Sequence, residues 1–518
     1  MKEIFLFFVA LTLLQCTQSD DKLTYEHGSF EPTWESFTTQ YNVPEWYSKG
    51  KFGIWVHASP QDEAEAGDWY ARNLYNEGHR QYKHHLDRFG HPSESGYKDM
   101  CNEWRLEDWN PDAMMALYKR AGARFFVGMG NHHCNFDMWD SKYQEWNSKN
   151  IGPKRDVLGE WKKAADKYGL RFGTSLHAIN TWGWFDSGRK TDTVGVYKGI
   201  PYDVVSASKK TGKGKWWEGY DPYELYGPPH EPGTNGAPPT EEFMLKFYNR
   251  FKDVVSKYEL DYLYWDSHYN GVWRQFVRFA DTIPSNAERS LRETPFKNMG
   301  KTAIAHFYNT NMKRHGGQLE AVTTIKSVPE EFRTGLVHDY EHGTPDKIMP
   351  HIWERGYGLG GWHYSKGQYK KKRTKQALGL LIDVVSKNGV LLMNIPMSPR
   401  GKHDPLAVET LKEIGDWMDI NGKAIYDSKP YTTFGCGKIR YTRNDNKVYV
   451  FVPDAVPNTN IALTDFSKGN LAIAKCRLLG SNEDISWKQD NDKMMVTWPE
   501  KLPSLHYNVL ELILDTPK

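Results

Sequence analysis

Leu260-Asp261-Tyr262-Leu263-Tyr264-Trp265-Asp266-Ser267 is the stretch that decides the fold class of this 518-residue chain. Its aromatic and aliphatic body is too short for a helix and reads as a buried strand that ends on a carboxylate. Upstream, Phe247, Phe251, Val254, Val255 and Tyr258 recur at helical spacing, so an amphipathic helix is expected over 241–258. Downstream, a loop opens at Ser267 to Asn270. A helix feeding a buried strand is the repeating unit of a parallel sheet. In (β/α)8 barrels the C-terminal ends of the strands carry the chemistry. A strand-end Asp also serves as a cap for the next element, so the weight falls on the other strands.

The same unit recurs on both sides. Gly50 to His57 reads as a strand ending on histidine. Asn110-Pro111-Asp112 starts a helix with a good cap and a proline at its first position, and Gly122 stops it. Ala123 to Met129 forms the next strand and exits at Asn131-His132-His133. A helix over 156–167 and a strand over 170–176 follow, the latter leaving at His177. The Gly-, Pro- and Lys-rich segment 183–240 reads as a long loop carrying Trp216-Trp217. Later units are less regular. Thr302 to Phe307 and Ala321 to Ile325 are weaker strand candidates, whereas Leu378, Leu381, Ile382 and Val385 mark a helix and Val390 to Ile395 a buried strand. Asp404-Pro405 opens a last helix. Beyond Gly422, short strands such as Lys447 to Val452 alternate with turn clusters such as Asn444-Asp445-Asn446. The expected organisation is a segment and tether over 1–22, an irregular (β/α)8-like barrel over 23–422, and an antiparallel β-sandwich over 423–518.

Composition narrows the function. Lys and Arg number 67 against 65 Asp and Glu, a formal charge of +2, which argues against nucleic acid as a partner. The basic cluster Lys370-Lys371-Lys372-Arg373 runs into a helix and reads as a solvated face. Twenty Trp and 30 Tyr favour a carbohydrate-active protein, because flat rings stack on sugars. The five cysteines show neither metal-ligand spacing nor a disulfide framework. The apolar run Ile4 to Leu14 is too short to span a bilayer and predicts a secretory signal. Gln15-Cys16 resembles a bacterial lipoprotein cleavage site, so export to the periplasm or cell surface is expected, with a lipid on Cys16 as the membrane contact. Gln15 departs from the small residue usual there.

Three strand ends carry His57, the pair His132-His133 and Asp266, which a barrel would gather at one mouth. Imidazoles donate well to ring hydroxyls and to a carboxylate, a set suited to a small polyol. A zinc site from the same residues is disfavoured, because adjacent His132 and His133 would point to opposite sides of a strand and the H-x-H pair of metal barrels is missing.

At this point the chain resembles the α-L-fucosidases of glycoside hydrolase family 29 over roughly residues 30–425. The matching segments are Trp46-Tyr47 with Lys51 to His57, Asn131-His132-His133 through Phe136, Trp139 and Ser141, Gly152 to Asp156, and Leu263-Tyr264-Trp265-Asp266. Leu381 to Gly389 with Leu391 to Ile395 resembles the family's late helix–strand unit. The resemblance implies a retaining exo-glycosidase that releases terminal α-L-fucosyl residues from oligo- or polysaccharides without metal or cofactor. Asp266 would be the nucleophile and a second carboxyl the acid/base, about 5–5.5 Å away. Glu341 is the first candidate for that role, lying thirteen residues before Glu354; Glu354 itself is the alternative. His57, Asp68, Trp69, His132 and His133 would bind the sugar, with Trp362 on the side of its C5 methyl. Departures from the family surround the pocket. Asp68 replaces a Glu, Ala58-Ser59 follow His57, Cys134-Asn135 follow His133, Gly361-Trp362-His363-Tyr364 replaces Ser-Trp-Gly-Tyr, and an Arg often found before the acid has no clear counterpart, Lys326 being the candidate stand-in. They leave open a related exo-glycosidase acting on another or a sulfated sugar, and a non-catalytic glycan-binding lipoprotein on the same fold.

Overall fold

A computed structural model describes residues 22–227, 239–268, 296, 298–468 and 471–515, without the side chains at 179–180 and 267–268. The N-terminal apolar run and Cys16 lie outside the described residues.

Eight parallel strands close into a barrel in chain order: β1 (Phe52–Val56), β2 (Phe125–Asn131), β3 (Arg171–Leu176), β4 (Tyr262–His268), β5 (Val322–Lys326), β6 (Val337–Asp339), β7 (Trp353–Gly358) and β8 (Gly389–Asn394). β1 pairs with β2 on one side and β8 on the other, which completes the ring. Alternation of side chains across each strand fixes what faces in. Trp55, Phe125, Val127, Tyr262, Tyr264, Val322, Val337, Val390 and Leu392 pack with Tyr47 in one interior cluster. Their neighbours Ile54, Phe126, Leu263, Trp265, Leu391 and Met393 belong to the larger core outside the barrel wall. Burial on both faces explains the near-continuous apolar runs.

The longest helices packed outside the barrel, among the described residues, include α1 (Pro111–Arg120), α2 (Val157–Lys167), α3 (Glu241–Tyr258), α4 (Met299–Arg314), α5 (Thr374–Ser386) and α6 (Pro405–Asn421). Asn110, Asp156, Thr240 and Asp404 each accept a backbone N–H at the helix start, as their sequence positions suggest. Thr302 to Phe307 is not a strand but the middle of α4, where residues 302–309 are all buried or nearly so. A short apolar run does not distinguish a buried strand from a helix surrounded by protein. Between β5 and β6 there is only a 3-10 turn, Glu330–Phe332, and β6 to β7 is joined without a helix. This is the irregular part of the barrel. The segment after β3 is not structureless either: short helices at Asp203–Ser206 and Pro222–Tyr226 interrupt it, and Trp216 Nε1 donates to Asp99.

The C-terminal part is antiparallel. β9 (Lys429–Cys436), β10 (Ile439–Asn444), β11 (Lys447–Pro453), β13 (Ile473–Leu478) and β16 (Tyr507–Leu514) form one sheet in the order β13-β16-β11-β10-β9. β12 (Asn460–Leu463), β15 (Met494–Thr497) and β14 (Ser486–Gln489) form a second. Val448, Val450, Leu510 and Leu512 of the first share a core with Leu463, Met494 and Val496 of the second. The pair of sheets is tied to the barrel through α5 and α6: Arg440 Nε lies 2.6 Å from Asp383, and Trp417 Nε1 donates to the Tyr507 carbonyl at 2.8 Å.

Candidate active site

The interior phase of the strands continues past their C-terminal ends and builds the site. Trp55 faces inward and His57 is two residues on; Ser175 leads in the same way to His177, Tyr264 to Asp266 and Val337 through Asp339 to Glu341. All four downstream residues line a cavity of about 250 Å³ at the mouth of the barrel. Asp68, Trp69, His132, His133, Lys326, His342, Trp362, Tyr264 and Trp55 complete its lining. The cavity is smaller than the ~300–1,000 Å³ of sites for drug-sized ligands, and suits a single sugar ring.

Asp266 is held at both oxygens. Lys326 Nζ lies 2.5 Å from Oδ1, while His177 Nδ1 and His133 Nε2 lie 3.0 and 3.2 Å from Oδ2. Burial alone would raise this carboxyl; the Lys326 ammonium, with His177 and His133, outweighs it and holds Asp266 well below the usual carboxylate range. Lys326 also contacts Glu341 Oε2 at 2.8 Å. Because one ammonium touches both carboxylates, the nearest oxygens of Asp266 and Glu341 are separated by no more than the two contacts laid end to end, about 5.3 Å. Burial would lower the Lys326 ammonium, but Asp266 and Glu341 raise it, so it stays charged.

His57 is fixed by Asn394 at the end of β8. The amide Nδ2 donates to the carbonyls of Gly361 and Trp362 at 2.8 and 2.9 Å, which turns Oδ1 toward the His57 backbone N–H and Nδ1 at 3.0 and 2.8 Å. His57 Nδ1 therefore carries the hydrogen. Burial, then His177 and His363, push His57 well below its ordinary range, leaving Nε2 as an acceptor for a hydroxyl. Burial and neighbouring imidazoles also lower His132, and burial brings His177 down to about 4 against the pull of Asp266.

Asp68 and Trp69 reach the cavity because two loops are fastened together. Asp62 closes the turn after β1, accepting from the Ser59 backbone N–H at 2.8 Å. It also accepts from His363 Nδ1 at 3.0 Å and from the Tyr364 backbone N–H at 3.1 Å, both in the loop after β7. Burial would lower His363, but Asp62 outweighs it and raises the imidazole. Gly67 N–H then donates to the Tyr364 carbonyl at 2.9 Å. Trp69 sits in the left-handed region at φ 62°, a cost that the surrounding contacts hold in place. His363, which replaces a Gly of the family pattern, is thus the buried clasp of this wall.

Of the residues selected from sequence, His57, Asp68, Trp69, His132, His133, Asp266, Glu341 and Trp362 all line the cavity. Glu354 does not. It lies inside the barrel, where the hydroxyls of Tyr47 and Tyr262 donate to its two oxygens at 2.7 Å each. Burial, then the charge of Asp339, push it well above the usual range. The expectation that His132 and His133 face opposite sides is corrected. β2 ends at Asn131, the chain turns with Asn135 at φ 65°, and both rings line the cavity with centroids 4.3 Å apart. Ligand atoms of His132, His133 and His177 lie within 4.8 Å of one another, as do those of Asp68, His132 and His363. Either group could hold a cation, but in the first, two of the three rings already hold Asp266. Sequence reasoning misses His177 as a site residue, although it follows the end of β3 just as His57 follows β1.

Residues 17–423 match the family described as alpha-L-fucosidase, and residues 435–512 match the alpha-L-fucosidase C-terminal domain. Among relatives, the chain is 24% identical to the tissue alpha-L-fucosidase of Macaca fascicularis, over 92% of this chain and 88% of the other. Among solved structures, the Thermotoga maritima alpha-fucosidase in complex with fucose superposes with a TM-score of 0.67 at 22% identity, covering 93% of this chain and 100% of that one. A GH29 alpha-L-fucosidase from Bacteroides thetaiotaomicron, trapped as a covalent intermediate, superposes with a TM-score of 0.59 at 17% identity over 96% and 99%.

Proposed function

The chain belongs to the α-L-fucosidase family of glycoside hydrolases, and on that premise we propose that it releases terminal α-L-fucosyl residues from glycans with retention of configuration. The observation that carries the mechanism is the approach of Asp266 and Glu341, whose nearest oxygens lie within about 5.3 Å of each other across Lys326. Retaining enzymes keep their carboxyls ~5–5.5 Å apart, and inverting ones ~6.5–9.5 Å to admit a water. Asp266, ionised by its neighbours, attacks the anomeric carbon. Glu341 gives a proton to the leaving oxygen, then takes one from the water that hydrolyses the glycosyl ester. His57 Nε2 accepts from a ring hydroxyl, Asp68, His132 and His133 hold the others, and Trp362 covers the apolar side of the ring. The covalent intermediate trapped in the Bacteroides thetaiotaomicron relative supports the double displacement, and the fucose bound to the Thermotoga maritima relative supports the sugar.

The test combines product analysis with two variants. NMR of the first turnovers on an aryl α-L-fucoside should show the α-anomer of fucose before mutarotation. Asp266→Gly should abolish turnover, with azide restoring it as a β-fucosyl azide. Glu341→Ala should lose about 10²–10⁴-fold on glycans and far less on substrates with activated leaving groups. First appearance of the β-anomer would sink retention. Turnover of an aryl β-galactoside with none of the α-L-fucoside would move the assignment to another sugar.

A further inference from the structure

The run Lys370-Lys371-Lys372-Arg373 takes no part in the cavity just described, and the structure gives it a setting of its own. With Lys375 and Tyr507 it lines a second recess, of about 720 Å³, at the junction of the barrel and the C-terminal sheets. This recess is nearly three times the size of the active-site cavity, enough for several sugar rings.

Its charge is not balanced from within. Lys372 is paired with Glu413, and Lys375 with Asp454 at 2.5 Å. Arg373 Nη1 donates to the Leu359 carbonyl at 2.7 Å, a neutral acceptor that leaves its charge uncompensated. Lys370 and Lys371 are exposed, and no carboxylate lies within ion-pair distance of either among the described residues. Three uncompensated cations thus converge on one recess in a chain whose formal charge is only +2. Tyr507, half-buried at the edge, offers a ring face of the kind on which sugars stack.

Position links this recess to the active site. α5 begins at Thr374, and a helix that follows a barrel strand starts on the face where that strand ends, which is the catalytic face. Leu359, the acceptor for Arg373, is three residues from Trp362 of the cavity lining. A polymer lying in the recess therefore runs along the same rim as the cavity.

We propose that this recess docks an anionic polysaccharide, through sulfate or carboxylate groups, and holds the chain whose terminal residue enters the cavity. The choice of a glycan rests on the glycosidase reading above; the choice of an anionic one rests on the unpaired cations. A concave recess suits a chain of rings better than a flat bilayer, and one isolated basic cluster is too small for duplex nucleic acid.

The test uses Lys370→Glu/Lys371→Glu, with Lys163→Glu/Lys475→Glu as a control that reverses two exposed lysines elsewhere. Binding of the full chain to dextran sulfate, carboxymethyl dextran and neutral dextran is measured by affinity electrophoresis at several salt concentrations. The wild type and the control should bind an anionic dextran and not the neutral one. The groove variant should bind at least about tenfold more weakly, with a salt slope shallower by about one to two. Preference between the two anionic dextrans tells sulfate from carboxylate. Absence of wild-type binding, equal binding by the groove variant, or an equal loss in the control would overturn the proposal. So would binding to vesicles of anionic phospholipid in place of dextran sulfate. kcat/KM of the groove variant on an aryl fucoside should stay within about twofold of wild type. If the wild type fails to cleave the fucoside, the fucosidase reading falls while the dextran result still decides the recess.

Discussion

Replacing Lys326 by Met tests the electrostatic core of the site. The ammonium lies 2.5 Å from Asp266 and 2.8 Å from Glu341, and it is the leading influence that opposes burial at Asp266. An opposite charge at such range lowers a carboxyl by about 1–3 units, or about 1.4–4 kcal/mol. Without it, burial acts against only the two imidazoles, so Asp266 protonates about 1–3 units higher. The nucleophile works as the carboxylate, so activity is lost as pH falls through its titration. In the wild type that loss lies below the ordinary carboxylate range. In Lys326→Met the acid limb should move to higher pH by about 1–3 units. The assay is kcat/KM against pH on a 2-chloro-4-nitrophenyl α-L-fucoside, whose leaving group needs little protonation, so that the limb reports the nucleophile. Lys326→Arg keeps a cation and should leave the limb where it is in the wild type. A limb unmoved in Lys326→Met, or moved equally in Lys326→Arg, would refute the assignment of Lys326 as the group that keeps Asp266 ionised.

Two further substitutions probe the frame. Glu354→Gln should leave kcat/KM on aryl and glycan substrates within a few fold, because Glu354 lies below the cavity under Tyr47 and Tyr262. Its carboxyl is raised in the folded chain, so in the wild type the unfolded state releases this proton first, and stability falls as pH climbs above ~4.3 toward the folded value. The Gln variant lacks this penalty. Its advantage in unfolding free energy, measured by urea titration, should therefore grow with pH, by at most about 1.4 kcal/mol per pH unit; a pH-independent difference would contradict the buried neutral acid. Arg250→Met removes the α3 guanidinium that holds buried Asp137 through Nε at 3.0 Å and Asn135 through Nη1 at 2.7 Å. It strands a buried carboxylate beside the turn that carries His132 and His133, and should cost about 3–5 kcal/mol in urea unfolding. A loss below about 1 kcal/mol would show that Asp137 finds another partner.

Strand periodicity makes much of this site legible in the sequence. Counting inward residues along β1 and β4 leads to His57 and Asp266 at the mouth, and the same count along β3 leads to His177, a residue the sequence had already placed at a strand end. The register that opposes Asp62 to His363 was hidden, because the two are 301 positions apart and meet only when the loops after β1 and β7 fold together. β6 and β7 were hidden for another reason. β6 has three residues, and β7 carries Glu354 and Arg355 among glycines, so neither shows the apolar run of a buried strand.

Those two strands are also where the sequence left the acid/base open between Glu341 and Glu354, and their register separates the two. Asp339 pairs with Glu354 on one side and Lys326 on the other. Because barrel strands are tilted, residues paired across them sit at different heights, and the contacts of the inward polar groups sort them into levels. Glu354 lies deepest, under the hydroxyls of Tyr47 and Tyr262. Asp339 comes next, accepting from Tyr264 at 2.8 Å and from the Gly356 backbone N–H at 2.8 Å. Glu341, two residues beyond Asp339, rises to the level of Lys326 and Asp266. Tyr262, Tyr264 and Asp266 climb β4 through the same three levels. The carboxyl at the lowest level accepts from two tyrosine hydroxyls and lies outside the cavity lining, and the one at the highest lines the cavity. Thirteen residues of separation say nothing of this; the pairing of β6 with β7 puts the two glutamates at opposite ends of the stack.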